Sequence, residues 1–265
     1  MTISVTIVGA TGWVGRALVP AVAAAPDLKL VAAVARNAAG QDAGTATGGA
    51  ALGVTIAATL DEALRTPCDV VVDYTKPDVV KGHALAAIAA KRNVVVGTSG
   101  LTADDYAEID AAARAAGVGV LAAGNFSITA TLMQRFALMA ARYVPDVEVI
   151  DYASASKPDV PSGTGRELAE RLGAVRLDPT AMPVDELRGP KETRGAEIGR
   201  TRVHSVRISG FVLSCEALFG APDERLTIRH DAGSSATPYV AGTLLAVRRV
   251  GDRPGLRRGL DGLME

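Results

Sequence analysis

The sequence predicts an α/β protein, with an N-terminal Rossmann-type, doubly wound parallel sheet followed by a C-terminal α+β domain built on an open mixed sheet. Three observations carry this. Short β-branched runs alternate with Ala/Leu-rich helical stretches over roughly the first 125 residues, and a glycine-rich turn joins the first run to the first helix. Hydrophobic residues make up 48% of the 265 residues but aromatic ones only 4%, so Ala, Val, Leu and Gly must do the packing, which suits close helix-on-sheet layers.

The elements follow in order. Ser4–Val8 is short, apolar and β-branched; glycines intervene, and Val14–Ala25 carries a helical Ala/Leu/Val pattern ended by Pro26 and Asp27. Leu28–Ala35, Asp69–Tyr74, Asn93–Gly97 and Val118–Ala122 read as strands, with helices at Pro77–Arg92 and Thr102–Ala116. Thr102 with Asp105 has the spacing of a capping box. After Asn125 the texture changes to a long helix over Thr129–Tyr143, a strand at Val147–Tyr152, a Pro/Ser/Gly loop and a helix at Arg166–Leu172. The polar, Pro/Arg-rich passage 174–200 reads as a mobile loop. Strand-like runs follow at Thr201–Ser209, Phe211–Phe219 and Arg225–His230, expected to pair antiparallel with Val147–Tyr152, and Pro238–Val250 reads as a helix. The expected domains are 1–125, with 236–265 packing back on it, and 126–235 for substrate binding and oligomerisation.

The chain has 28 basic and 29 acidic side chains, so no global field would hold it on nucleic acid or an anionic membrane. A small-molecule partner is expected. Cys68 and Cys215 are the only cysteines and lack metal-ligand spacing, which predicts neither a disulfide scaffold nor a metal site. The start MTISVTIVGATGW has no basic segment leading into an apolar stretch, and no apolar run reaches membrane-spanning length, so a cytoplasmic location is expected.

Gly9-Ala10-Thr11-Gly12-Trp13-Val14-Gly15 follows a predicted strand and opens a helix, the context in which glycines hold a dinucleotide. Gly9 permits the tight turn, Gly12 lets the backbone approach the pyrophosphate, and Gly15 lets helix and strand pack closely, with the helix N-terminus facing the anion. Thr11, Trp13 and Val14 belong to the same loop. At the end of the second strand, Val34-Ala35-Arg36-Asn37 offers no carboxylate for the ribose of NAD. Arg36 would suit the extra phosphate of NADPH, so NADPH is the expected cofactor with NADH as an alternative; Arg36 could equally be a solvated surface charge. Tyr74 and Thr75 after one strand, and Gly97, Thr98 and Ser99 after another, sit where open α/β sheets hold ligands, although both are also ordinary turn chemistry. Asn125 and Phe126 complete the cofactor assignments.

In the second half, Ser162-Gly163-Thr164 precedes a helix, so its amides and hydroxyls could cradle a carboxylate, with Lys157 supplying positive charge. A plain capping box from Thr164 to Glu167 is compatible with this.

Lys157-Pro158-Asp159-Val160-Pro161-Ser162-Gly163-Thr164 resembles the K-x-D-x-P-S-G-T signature of the dihydrodipicolinate reductase family. The resemblance runs through Asp73-Tyr74-Thr75, Gly97–Gly100, Asn125-Phe126-Ser127, His204-Ser205-Val206-Arg207, Phe219-Gly220 and Ile228-Arg229-His230-Asp231, in family order over essentially the whole chain. It implies hydride transfer from NAD(P)H to a cyclic, unsaturated dicarboxylate in the lysine and diaminopimelate pathway, by a homotetramer built through the C-terminal sheet. It also implies Lys157 as the catalytic residue and Ser154, Ser162, Gly163 and Thr164 as substrate contacts.

The family's E-x-H-H-x-x-K run reads here Asp151-Tyr152-Ala153-Ser154-Ala155-Ser156-Lys157, without the two histidines that serve as proton donor and substrate contact. Lys157, Tyr152, a bound water, His204 and His230 remain as donors to weigh, Lys157 first. His204, His230 and His83, the last on a predicted helix, are expected to be structural or at the surface in the absence of clustered partners. A second departure is Gly233-Ser234-Ser235-Ala236-Thr237-Pro238-Tyr239, where the family commonly carries an arginine and a phenylalanine. Three readings follow: the family reaction with a displaced donor, a paralogous imine, enamine or unsaturated-acid oxidoreductase, and a catalytically silent NADP-binding sensor. The anion-binding turn argues against the third.

Overall fold

The computed structural model describes residues 2–144, 146–175 and 182–264, and the chain divides into two compact units: 1–128 with 236–265, and 129–235. No described helix is long and apolar enough to cross a membrane.

The first unit is a seven-stranded parallel sheet. Its strands are β1 (Ile3–Val8), β2 (Leu28–Val34), β3 (Ile56–Ala57), β4 (Val70–Asp73), β5 (Asn93–Val96), β6 (Gly119–Ala122) and β12 (Gly255–Arg258), in the order β12-β6-β5-β4-β1-β2-β3. Near-continuous runs such as Val70-Val71-Val72 and Val94-Val95-Val96 are buried on both faces, as strands covered by helices on each side must be. The helices are α1 (Gly15–Ala24), α2 (Ala43–Ala46), α3 (Leu60–Ala63), α4 (Pro77–Ala89), α5 (Ala103–Ala116) and α8 (Thr237–Arg249). At α5 the hydroxyl of Thr102 accepts the Asp105 amide while the Asp105 carboxylate accepts the Thr102 amide, the capping box that the spacing predicts. Strand order reverses between β1 and β4, the place where ligands bind in open α/β sheets.

Two strands of this sheet escape the sequence pattern, β3 and β12. β3 has two residues, too few for any period to show, and β12 is the glycine- and arginine-rich Gly255-Leu256-Arg257-Arg258, whose pairing with β6 supplies what its composition does not.

The second unit is a five-stranded mixed sheet in the order β11-β10-β7-β9-β8. Its strands are β7 (Asp146–Ala153), β8 (Ala196–Ile198), β9 (Thr201–Arg207), β10 (Leu213–Ala221) and β11 (Glu224–Ala232). Helices α6 (Ile128–Ala140) and α7 (Gly163–Val175) supply Met133, Ala137, Leu168 and Leu172 to a core shared with Val147, Val149, Val203 and Phe219. β10 pairs antiparallel with β7, as expected, but β9 pairs parallel with it. The reason is the crossover through α7, which returns the chain to the end of the sheet where β7 began. Part of the expected mobile loop is also ordered: residues 182–200 carry two 3-10 turns and the edge strand β8, entered and left at Gly195 and Gly199, both with positive φ. Residues 176–181 of that passage lie outside the described residues.

Candidate active site

The turn between β1 and α1 is shaped by backbone closeness. Gly9 has φ +86°, and a Cβ there would lie 2.4 Å from the Tyr74 carbonyl oxygen; one at Gly15 would lie 2.1 Å from the Gly9 carbonyl. α1 starts at Gly15 with no side-chain cap and no acidic residue in its first turn; the Arg16 and Ala17 amides are taken up by the Gly12 and Val14 carbonyls, and no side chain of that turn offsets the positive end of the helix dipole. Thr11 and Gly12 line a cavity of about 680 Å³ that also takes in Val34–Asn37 after β2, Tyr74–Lys76 after β4, and one face of α4. This is the carboxyl edge of the sheet at its switch point. Arg36 lies in a short 3-10 turn on the cavity wall, exposed, and forms no salt bridge among the described residues; Lys76, at the start of α4 on the same wall, is likewise exposed and without a salt bridge among them. Asp61 and Asp78 also line the cavity, and the concave wall with the uncapped helix fits a dinucleotide.

The other assigned residues are placed as follows. Trp13 is exposed and meets Tyr239 edge-on at 5.5 Å, while Val14 caps the start of α1 in helical conformation. The hydroxyl of Tyr74 is 2.7 Å from that of Thr243, its ring packs on Phe126 at 5.8 Å and against Gly97, and burial raises its pKa well above the usual phenol range. Thr75 and Thr98 are bound to Asp73, and Ser99 is exposed. Asn125 accepts the Ser127 amide at 2.8 Å. Phe126 is buried in the core, which leaves only its backbone for a nucleotide.

In the second unit the Ser162–Thr164 turn, expected to bind an anion, hangs on Asp151. Its carboxylate, wholly buried on β7, accepts the Ser162 amide at 2.9 Å, the Ser162 hydroxyl at 2.5 Å and the guanidinium of Arg207 on β9 at 2.8 Å. Arg207 also donates to the Asp159 carbonyl at 2.7 Å and so ties the middle of the loop to its end. The Ser162 hydroxyl accepts the Gly165 amide at 3.3 Å, and α7 begins at Gly163. Ser162 is therefore the cap and Thr164 lies inside the helix, which displaces the capping box expected from Thr164. With its hydroxyl engaged by Asp151, Ser162 holds the turn, and Thr164 is buried within the first turn of α7. Arg207 has no role assigned from the sequence; its signals there are its place in the resembling stretch His204-Ser205-Val206-Arg207 and a cation in alternation with Val203 and Ser205 on one strand.

Alternation also sorts the proton donors. Val147, Val149, Asp151 and Ala153 face the helices, so Tyr152 lies on the other face, its hydroxyl 3.2 Å from Glu216, its ring under Arg229 and stacked on Phe211. Burial, reinforced by the Glu216 charge, raises the pKa of Tyr152. His204 shares that face and sits 2.7 Å from Glu148, which Arg194 also binds. Both are on the wrong side of the sheet for the Ser162–Thr164 turn. His230 is on the helix side, but its Nε2 is 3.1 Å from the Thr129 hydroxyl and burial lowers its pKa. Lys157 is in the loop itself, partly exposed, with its ammonium 2.8 Å from Asp159; Ser154 pairs with Ser156 at 3.2 Å.

Residues 3–126 match the family described as Dihydrodipicolinate reductase, N-terminus, and residues 129–263 its C-terminus. The chain is similar over its full length to a 4-hydroxy-tetrahydrodipicolinate reductase of Nocardia farcinica (41% identity, 100% of each chain covered). It is also similar to one of Thermosynechococcus vestitus (38%, 99% of this chain and 97% of the relative). Among solved structures it resembles a dipicolinate-bound dihydrodipicolinate reductase from Paenisporosarcina sp. TG-14 (TM-score 0.82, 29% identity, 99% of both chains). The fold alone is shared with GenD2 of gentamicin A biosynthesis, solved with NAD (TM-score 0.66, 17% identity, 95% of this chain and 87% of that one). With both halves matched in order and relatives aligned end to end, the chain belongs to the dihydrodipicolinate reductase family of pyridine-nucleotide-dependent reductases.

Proposed function

We propose that this protein reduces 4-hydroxy-tetrahydrodipicolinate with NADPH. The observation that carries the reading is the Asp151–Ser162–Arg207 arrangement, which spends buried charge to hold a helix N-terminus in the family's substrate turn. The reduced nicotinamide, when bound, supplies the hydride. This chain's residues do the rest. Gly9, Gly12 and the first turn of α1 receive the pyrophosphate, and Arg36, with Lys76 nearby, receives the 2′-phosphate that distinguishes NADPH. Gly163, Thr164 and Lys157 bind substrate carboxylates.

A hydride added to a double bond must be matched by a proton. With Ala153 and Ser154 in place of the histidine pair, Lys157 is the donor: it is the cation on the substrate loop, paired there with Asp159, whereas Tyr152 and His204 lie across the sheet and His230 is held by Thr129. A homotetramer built through the sheet face opposite α6 and α7, and a cytoplasmic location, belong to the same proposal.

The missing histidine pair favours one second reading, a paralogue that keeps NADPH and the carboxylate turn but reduces another cyclic imine or unsaturated acid. The deciding experiment is consumption of NADPH, with NADH in parallel, by purified protein given freshly generated 4-hydroxy-tetrahydrodipicolinate. Turnover of about 1–1000 per second establishes the family reaction. NADPH binding without turnover moves the assignment to the paralogue.

A further inference from the structure

His83 is a residue to which neither the sequence pattern nor the family reaction gives a role. It projects from α4, 28% exposed, on the wall of the cavity that receives the nucleotide. Its Nδ1 is 2.7 Å from Oδ2 of Asp73, a carboxylate with no solvent exposure at the end of β4. The other oxygen of Asp73 accepts the Thr75 amide at 2.9 Å, the Thr75 hydroxyl at 2.6 Å and the Thr98 hydroxyl at 3.2 Å. The Thr75 amide is shared with the Thr98 hydroxyl at 2.9 Å, and the Asp73 carbonyl accepts the Gly97 amide. A carboxylate only accepts, so Nδ1 of His83 carries the proton and the imidazole is the donor that satisfies Oδ2.

Asp73 thus joins the turn after β4 to the turn after β5, and the first of these sets the Tyr74 carbonyl against Gly9. A buried carboxylate with one oxygen unmatched is costly and turns to find another donor. Any such rotation of Asp73 moves Thr75 and Thr98 with it.

We propose that His83 is a positioning residue for the cofactor: its bond to Asp73 fixes the carboxylate, and through it the Thr75 and Thr98 turns that hold the nucleotide. The inference rests on the reading of the first unit as an NADPH site. Substitution is expected to act on cofactor affinity and to leave the rate at saturating NADPH in place.

Trp13, the only tryptophan, lies in the dinucleotide loop, so quenching of its fluorescence reports NADPH binding without turnover. The titration compares full-length wild type with His83→Asn, His83→Gln and His83→Ala, because an asparagine amide can take the place of Nδ1 whereas glutamine reaches toward Nε2. Asn is expected to bind within about threefold of wild type, and Gln and Ala about tenfold more weakly or worse, with KM for NADPH raised and kcat retained. Thr98→Val, which removes another Asp73 partner and leaves the imidazole intact, is expected to shift affinity in the same direction. Wild-type affinity in His83→Ala, or rescue by Gln and not by Asn, overturns the proposal. Failure of wild type itself to bind NADPH overturns the nucleotide reading along with it, and is distinguished by occurring without any substitution.

Discussion

Arg207 and Asp151 form an ion pair across β9 and β7, with Nη2 2.8 Å from Oδ2, Asp151 wholly buried and Arg207 14% exposed. The same guanidinium reaches the Asp159 carbonyl, so one cation ties the 154–162 loop to β7. Arg207→Met leaves a buried carboxylate without its partner, a loss of roughly 3–5 kcal/mol when such a pair is broken. Thermal unfolding should show that loss. A dicarboxylate titration by calorimetry should show weaker binding, while NADPH binding stays at the wild-type value. Arg207→Lys should recover only part, since a compact ammonium lacks the planar fork whose second nitrogen also reaches the Asp151 carbonyl.

Lys157→Ala should lower kcat/KM about 100-fold or more, the ordinary contribution of a positioned proton donor, with NADPH affinity unchanged by Trp13 quenching. Wild-type kinetics in this variant would remove Lys157 from the mechanism.

Arg36→Ala should raise KM for NADPH about tenfold or more, the worth of one charge-assisted contact, and leave KM for NADH nearly constant. Equal effects on both cofactors would place the 2′-phosphate elsewhere.

Gly15→Ala puts a methyl 2.1 Å from the Gly9 carbonyl and 2.6 Å from that of Ala10. Backbone must shift to admit it, at a cost of about 1–3 kcal/mol. The expected result is a lower unfolding temperature together with loss of NADPH quenching.

Acid should release the cap of α5. The Thr102 amide, then Lys81, hold the Asp105 carboxyl at about 2, down from 3.8. A carboxylate depressed in the folded state stabilises it fully above its unfolded pKa, and that contribution disappears as pH falls from about 4 through about 2. The stability gap between wild type and Asp105→Asn should therefore be constant above about pH 4 and close below it.

Most of the first unit was legible because its signals are local. Val70-Val71-Val72, the Gly9–Gly15 turn and the Thr102/Asp105 box each encode an element within a few residues, and the K-x-D-x-P-S-G-T run of the second unit marked the family. The two-residue β3 and the Arg-rich β12 exist only because a neighbouring strand presents a free edge, which no short window contains. The direction of β9 was set by the α7 crossover.

The roles of single side chains divide along the same line. The sequence determined the chemistry available: a glycine-rich nucleotide loop, one arginine after the second strand, a lysine in the substrate loop and no histidine pair. Only the tertiary structure decided which groups are spent and which are left to act. Asp151 takes up the hydroxyl of Ser162, sheet alternation sends Tyr152 and His204 to the far face, and Asp73 gathers His83, Thr75 and Thr98 from three segments. Apart from Thr75, which follows Asp73 by two residues, those partners lie ten residues or more apart in the chain, and they are chosen by packing and burial, which act in three dimensions and leave no periodic mark in the sequence.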